Sequence, residues 1–461
     1  MPAIPRPNPE LMVIGDSLAQ GCRTLSVSEE LCSQSYGHII AKSQGWDFQY
    51  PRFPRPVLFD LDEEARHLSG LGILGGLRRL RRNVRDWERH FADQQAGDLP
   101  DAFDNLAVAG ASIQQMTSFT AGEQRERLRD ELFPKVVDKP LVELFDWLEP
   151  THLAINASFV LNPTGAADWD GLDQLQWVEL RRPKRLIAHF GHNDGLYPVG
   201  GSADTTDFFA NLPQTLAAYK QVLERLAHLH ADVQLIVVVL YPKLGAVANL
   251  DPVGPRDAHG YAQHYHTRFP LPGNDIRGTA LRHVDEKVKA FNREVRLHAE
   301  DLPLAHRFRF VDAYRILGDY DYKNTGDESR QVVIGNKRID NRYLQGRWRW
   351  SGPPHRPNRR RVYEFAYGGL QSLDGMHLSA VGYAVLACEI MRKLDMVFDE
   401  NAVLRQAFQD EDLIRRYNAN LKTLDYLLDT VEDLRPGERD KEELSYPTML
   451  GAQQRIFTHR P

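Results

Sequence analysis

The run "VQLIVVVLYP", residues 233–242, is apolar at almost every position and shows no alternation of polar with apolar side chains. A strand with one face in water would alternate. A continuous run of this length, rich in β-branched residues, fits a strand buried on both faces, as in a parallel sheet covered by helices. "LMVI" (11–14), "NLAVAG" (105–110), "RLIAHFG" (185–191) and "RFRFVDA" (307–313) read the same way, which makes five strands. "LAINASFVL" (153–161) reads either as one more strand or as an edge element.

Helical patterns separate these runs. Leu281, Val284, Val288, Phe291 and Val295 recur at a 3-4-3-4 spacing, one apolar stripe just before the last strand. Ser379 is placed to cap a helix through "AVGYAVLACEIMRKLDMVF" (380–398). Alternating strands and helices predict an α/β fold: a three-layer α/β/α, doubly wound, mostly parallel five-stranded sheet. Right-handed crossovers then bring the carboxyl ends of the strands to one edge, where sites form.

The 461 residues exceed one compact core, so a main domain over 1–400 with additions is expected, followed by a helical C-terminal extension over 401–461. The additions fall at 52–103, 243–278 and 315–366. The first contains "GILGGLRRLRRNVRDW" (72–87), where Leu77, Leu80, Val84 and Trp87 share a face opposite several arginines. This is read as a lid or packing helix, with a membrane-surface helix as the alternative. The other two are rich in Pro, Gly, Arg and aromatics without clear periodicity, as functional covers or mobile loops are. In the extension, Ile414, Tyr417, Leu421, Leu424, Leu428 and Val431 form a stripe that packs on the body or on a partner chain, which leaves the oligomeric state open.

A net charge of −6 argues against nucleic-acid binding. No apolar stretch approaches the length of a membrane span, and "MPAIPRPNPE" has no hydrophobic signal core, so a cytoplasmic protein is expected. Three cysteines do not make a disulfide framework.

In "LMVIGDSLAQG" (11–21), Gly15 turns the chain where the first strand leaves the core, and Asp16 and Ser17 follow. Ser17 is either a helix cap or a nucleophile. A nucleophilic serine needs a base, a carboxylate to orient that base, and donors for an oxyanion. Asp374 and His377 stand three apart in "SLDGMHLSAVGYAVLA" (372–387), close enough to meet within one local turn. The Ser17 and Gly110 N–H groups and the Asn193 side-chain amide are the candidate oxyanion donors, and a side chain at 110 would block close backbone approach.

"GDSL" (15–18), "NLAVAGAS" (105–112), "GHND" (191–194) and "DGMH" (374–377) resemble, in order, the four signature blocks of the GDSL, or SGNH, hydrolase family. The resemblance implies a flavodoxin-like sheet, with Ser17 as nucleophile and Asp374 and His377 completing the triad. It also implies an oxyanion hole of Ser17, Gly110 and Asn193. The expected activity is cleavage of carboxylic esters of a small molecule or lipid, esterase- or lipase-like, through an acyl-enzyme and without metal or organic cofactor. A carbohydrate O-deacetylase or an acyltransferase would use the same site, and a catalytically silent binding scaffold is the alternative of another class. Asp16 and His192 are candidates for contact with substrate, although Asp16 reads more readily as a brace for its loop, and Asp194 as a cap. Substrate choice is expected in "AQGCRTL" (19–25) and in the additions, where the aromatics of "RWRWSG" (347–352) suit sugar rings. "DAHGYAQHYH" (257–266) matches no metal-ligand spacing and is read as a solvated or substrate-facing loop; "PNRRRV" (357–362) is read as a solvated run, with contact to an anionic substrate as the alternative.

Overall fold

The computed structural model describes residues 3–58, 60, 72–93, 99–138, 141–269, 274–350 and 361–411. In chain order, the core elements are β1 (Met12–Gly15), α1 (Ser17–Gln20), α2 (Tyr36–Gln44), α3 (Gly72–Asp93), α4 (Leu141–Leu161), α5 (Gln174–Arg181), β2 (Arg185–His189), α6 (Thr206–Ala227) and β3 (Leu235–Val239). They continue with α7 (Gly278–Glu300), β4 (Phe308–Val311), α8 (Ala313–Asp319), α9 (Ala380–Lys393) and α10 (Glu400–Asp410).

The four strands pair in the order β1-β2-β3-β4, all parallel, in the registers Val13 with Ile187, Ile187 with Val237 and Val237 with Arg309. Strand side chains point alternately to opposite faces. Met12, Ile14, Leu186, Ala188, Ile236 and Val238 enter one core with α4, α6 and α7. Val13, Ile187, Val237 and Val239 enter a second core with α2 and α9. Both faces are dry, which explains the unalternating runs. The α7 stripe is buried at all five positions, and the Ser379 hydroxyl accepts from the Gly382 N–H to cap α9. No helix among the described residues is long and apolar enough to cross a membrane.

The sheet has four strands, not five. Residues 104–108 do run along the free edge of β1: the Val13 N–H donates to Asp104 O (2.9 Å), Leu106 N–H to Val13 O (2.8 Å) and Val108 N–H to Gly15 O (3.0 Å). Pairing stops at one isolated bridge, Val13 with Asn105. The next rung would need the Gly15 N–H, and the Gln174 side chain has taken it. Its Oε1 accepts from Gly15 N–H (2.8 Å), and its Nε2 donates to Gly15 O (3.1 Å). "LAINASFVL" is neither a strand nor an edge element but the last part of α4. Every residue from Ala154 to Leu161 is buried, so this part of the helix has no wet face to print a period on the sequence.

The addition over 52–103 contributes α3, whose Leu80, Val84 and Trp87 are buried while Arg82 and Arg85 are exposed. Trp87 donates its indole N–H to Pro56 O (3.1 Å) and packs on Phe159 of α4. It is a packing helix. The two additions read as irregular contain small antiparallel sheets: Leu250–Arg256, Ala262–Thr267 and Asp275–Arg277 in one, and the hairpins Val332–Ile334/Lys337–Ile339 and Gln345–Trp350/Arg361–Tyr367 in the other. The 414–431 stripe, residues 357–360, the side chain of Leu77 and those of Trp348 and Trp350 lie outside the described residues.

Helix α10 is tied to the body by Glu411, just past its end. The buried carboxylate pairs with Arg23 Nη2 (2.9 Å) and accepts from the Ala380 N–H (2.7 Å) at the start of α9. Removing one member of a buried ion pair leaves the other charge uncompensated. Glu411→Ala should therefore destabilise the protein by about 3–5 kcal/mol in urea unfolding. A loss below ~1 kcal/mol would show that the pair is not what holds α10.

Candidate active site

Leaving β1, the chain bends at Gly15, whose φ is +142° and whose added Cβ would lie 1.8 Å from His189 O. Only glycine allows β1 and β2 to approach this closely here. Ser17 follows at the start of α1 and is buried at 7% exposure. Its hydroxyl lies 3.0 Å from His377 Nε2, and His377 Nδ1 lies 2.6 Å from Asp374 Oδ2. An ionised carboxylate can only accept, so Nδ1 carries the proton and Nε2 of the neutral ring is left to accept from the Ser17 O–H. The tight turn between Asp374 and the Ser379 cap delivers the imidazole: Asp374 Oδ1 accepts the N–H groups of Met376 and His377 (2.8 Å each).

Asp374 is fully buried, and burial pushes its carboxyl upward. The facing His377 and the Met376 and His377 backbone N–H groups outweigh burial and hold the carboxyl below its ordinary range. For His377, burial alone would lower the imidazole. The Cys22 sulfur beside the ring and the Asp374 carboxylate reverse that and hold it well above its ordinary value.

The other two loops are braced to the first. Asp16 Oδ2 accepts from His192 N–H (3.0 Å) and lies 2.9 Å from His192 Nδ1, while Oδ1 accepts from Leu18 N–H (3.3 Å). With 1% exposure and both oxygens committed, Asp16 clamps the Ser17 loop to the 191–194 loop and offers nothing to a substrate. His192 is 8% exposed, and its Nε2 has no partner among the described residues. Asn193 Nδ2 donates to Ala111 O (3.0 Å), and Asp194 Oδ2 accepts from Ile113 N–H (3.0 Å). These two bonds join the 191–194 loop to the 110–113 turn. Asp194 thus ties its loop to the first residue of the helical turn at Ile113. One N–H of the Asn193 amide remains beyond its bond to Ala111. The Ser17 and Gly110 N–H groups have no acceptor among the described residues. A Cβ at Gly110 would meet only Leu153, at an ordinary 3.7 Å. Glycine is needed at 110 for its φ of +90°, not because the chain crowds it.

Several site residues escape sequence reasoning. Gln20 and Asn156 of α4 form a buried reciprocal amide pair (2.7 and 2.9 Å), and Gln20 Oε1 also accepts the Ala109 N–H (2.9 Å), fixing the residue before Gly110. Thr24 and Leu25 both have positive φ (50° and 56°), which turns the Leu25 N–H onto Asp374 Oδ2 (3.1 Å). The Thr24 N–H meets Ser372 Oγ (3.0 Å), and that hydroxyl donates to Asp374 Oδ1 (3.2 Å). "AQGCRTL", expected to govern substrate choice, is therefore mostly buried and cradles the carboxylate. The only signal for this was its lack of charge apart from Arg23. Of the histidines of 257–266, His264 Nδ1 faces Asp275 (2.9 Å), and no group of three or more metal-binding side chains occurs among the described residues.

A hydroxyl, an imidazole and a buried carboxylate joined in that order are the arrangement serine hydrolases share on unrelated folds. Here they stand at the carboxyl edge of a parallel α/β sheet. The family model for GDSL-like Lipase/Acylhydrolase matches residues 11–390, and the chain belongs to that family of esterases, lipases and acylhydrolases. No curated protein matches the chain.

The electrostatics are testable without a substrate. In an NMR titration the His377 imidazole should titrate above the ordinary value of about 6.5, and in Asp374→Asn it should fall below its wild-type value. An unchanged pKa in the variant would mean that Asp374 does not hold the ring's charge.

Proposed function

We propose that this protein is a serine hydrolase that cleaves carboxylic esters through an acyl-enzyme on Ser17. The observation that carries the reading is the continuous chain from Ser17 Oγ through His377 to Asp374, at 3.0 and 2.6 Å. His377 Nε2 takes the hydroxyl proton as Oγ attacks the ester carbonyl, and Asp374 stabilises the imidazolium. The N–H groups of Ser17 and Gly110 and the free N–H of the Asn193 amide receive the oxyanion. As the tetrahedral intermediate collapses, the C–O bond to the alcohol breaks and His377 returns the proton to the leaving oxygen. Water then gives a proton to His377 and attacks the acyl carbon, and collapse regenerates the Ser17 hydroxyl. The same reading takes residues 105–108 as the remnant of a fifth strand, which gives the sheet a flavodoxin-like order.

Replacing Ser17 by Ala should lower turnover of a short p-nitrophenyl ester by about 10⁶-fold and abolish labelling by a fluorophosphonate, with the circular dichroism unchanged. A folded wild-type protein that takes no label would instead identify a silent scaffold. Asn193→Ala should reduce kcat by roughly 10²–10³ with little change in KM. A change confined to KM would remove Asn193 from the oxyanion hole. Because the neutral ring is the base, wild-type kcat/KM should climb with pH through the raised His377 pKa.

A further inference from the structure

Away from Ser17, a cleft of about 680 Å³ is lined by α7, α8, Lys243 beyond β3, and residues from both of the later additions. Six of its lining residues are Lys or Arg, against two Asp. The acids are already matched: Asp312 pairs with Arg296 (2.7 Å) and Asp319 with Arg315 (2.6 Å). Lys243 turns to Asp321 (2.9 Å), and Arg330 lies 3.7 Å from Asp327. Lys289 and Arg293 have no ion-pair partner among the described residues.

These two cations stand four apart on α7 and, with Arg296, form a stripe along one helix face. Like charges at that spacing repel, and the helix offers them no relief. Asp285, one turn before Lys289, is buried and accepts from Leu244 N–H (2.7 Å), Gly245 N–H (3.0 Å) and the Tyr261 hydroxyl (2.7 Å). Glu286 faces Arg282 and His283 at 3.8 Å each. The residues three and four beyond Arg293 are Arg296 and Leu297. The wall behind the stripe is fixed: the same bond to Asp285 holds Tyr261, and Lys243 Nζ sits 5.5 Å from the centre of the Tyr261 ring.

We propose that this cleft binds a small soluble anion bearing two or more phosphoryl charges. A concave surface lined by six cations, two of them without an ion-pair partner among the described residues, suits a multiply charged anion better than a single carboxylate. Guanidinium groups match phosphoryl oxygens in both charge and geometry. The site draws on two additions outside the four signature blocks. Ser17 follows β1, whereas Asp312 follows β4, three strands and roughly 14 Å away across the sheet. The proposal therefore stands whether or not Ser17 is a nucleophile.

Isothermal titration of the full chain with inorganic pyrophosphate tests it. Saturable one-to-one binding that weakens with added KCl is expected, and the double variant K289E/R293E should bind at least tenfold more weakly. Both residues are exposed on α7, so the substitutions leave the core untouched, and unchanged thermal unfolding verifies this. K287E, an exposed lysine of the same helix that does not line the cleft, removes the same kind of charge and should bind as the wild type does. The proposal is overturned by absent or unsaturable binding, by equal loss in K287E, or by full binding in the double variant. Sedimentation with phosphatidylglycerol vesicles that requires Lys289 and Arg293, without pyrophosphate binding, would also overturn it by pointing to a membrane surface.

Discussion

A carboxylate buried without partners would take up a proton; Asp374 stays ionised because five donors surround it. Its two oxygens accept from Ser372 Oγ, the N–H groups of Leu25, Met376 and His377, and the His377 ring. The cost of removing a charge from water is offset only when such bonds are complete. This constraint reaches well beyond the triad. The Leu25 N–H arrives only because Thr24 and Leu25 occupy the left-handed region, a local strain that the surrounding bonds hold in place. The nucleophile's loop and the base's loop, more than 340 residues apart, thus share one buried acceptor.

The same logic of shared acceptors organises the other loops. Asp16 receives both the backbone and the ring of His192, so the residue before the nucleophile holds the residue before Asn193. Gln20 receives Ala109, and Gln174 takes both polar groups of Gly15. Each of these side chains satisfies backbone groups at the loops, and Gln174 takes the Gly15 N–H that the next rung of the ladder would have used. The broken ladder at residues 105–108 is therefore not a defect at the edge of β1. It frees the turn at 109–111 to be set by side chains, leaving the Gly110 N–H without an acceptor among the described residues.

Residues buried on both faces of a strand, or on one side of a helix, were legible, because burial leaves a period or a continuous apolar run. "VQLIVVVLYP" and the 281–295 stripe are of this kind. The end of α4 was not, since a helix buried all round carries the same unbroken apolar signal as a strand. The fifth strand failed for a different reason: its partner on β1 is claimed by Gln174, 159 residues away in the chain, and no local pattern reports that competition. At the site, Ser17, Asp374 and His377 were legible from short ordered blocks. Gln20, Cys22 and Leu25 were not, because their contribution lies in long-range contacts and backbone conformation. The additions hid their sheets because their strands carry residues that ordinarily mark loops: Leu250–Arg256 alone contains Pro252, Gly254 and Pro255.

What those additions contribute follows from how they are held. Asp285 on α7 accepts from Leu244, Gly245 and Tyr261, so the segment entering the 243–278 addition is fastened to the helix behind it. Lys323 reaches from the 315–366 addition to the carbonyls of Val247 and Leu250, and Asn324 donates to Gly245 O (2.7 Å). Asn341 adds a bond to Ala246 O (2.8 Å). Buried polar bonds of this density resist local opening far better than an apolar contact between two loops would. The additions are thus fastened to the sheet's carboxyl edge, and through Tyr261 they supply a held wall to the cleft that the α7 stripe lines. Lys289 and Arg293 are spaced by α7 itself, and the fastened wall closes the other side of the cleft they line.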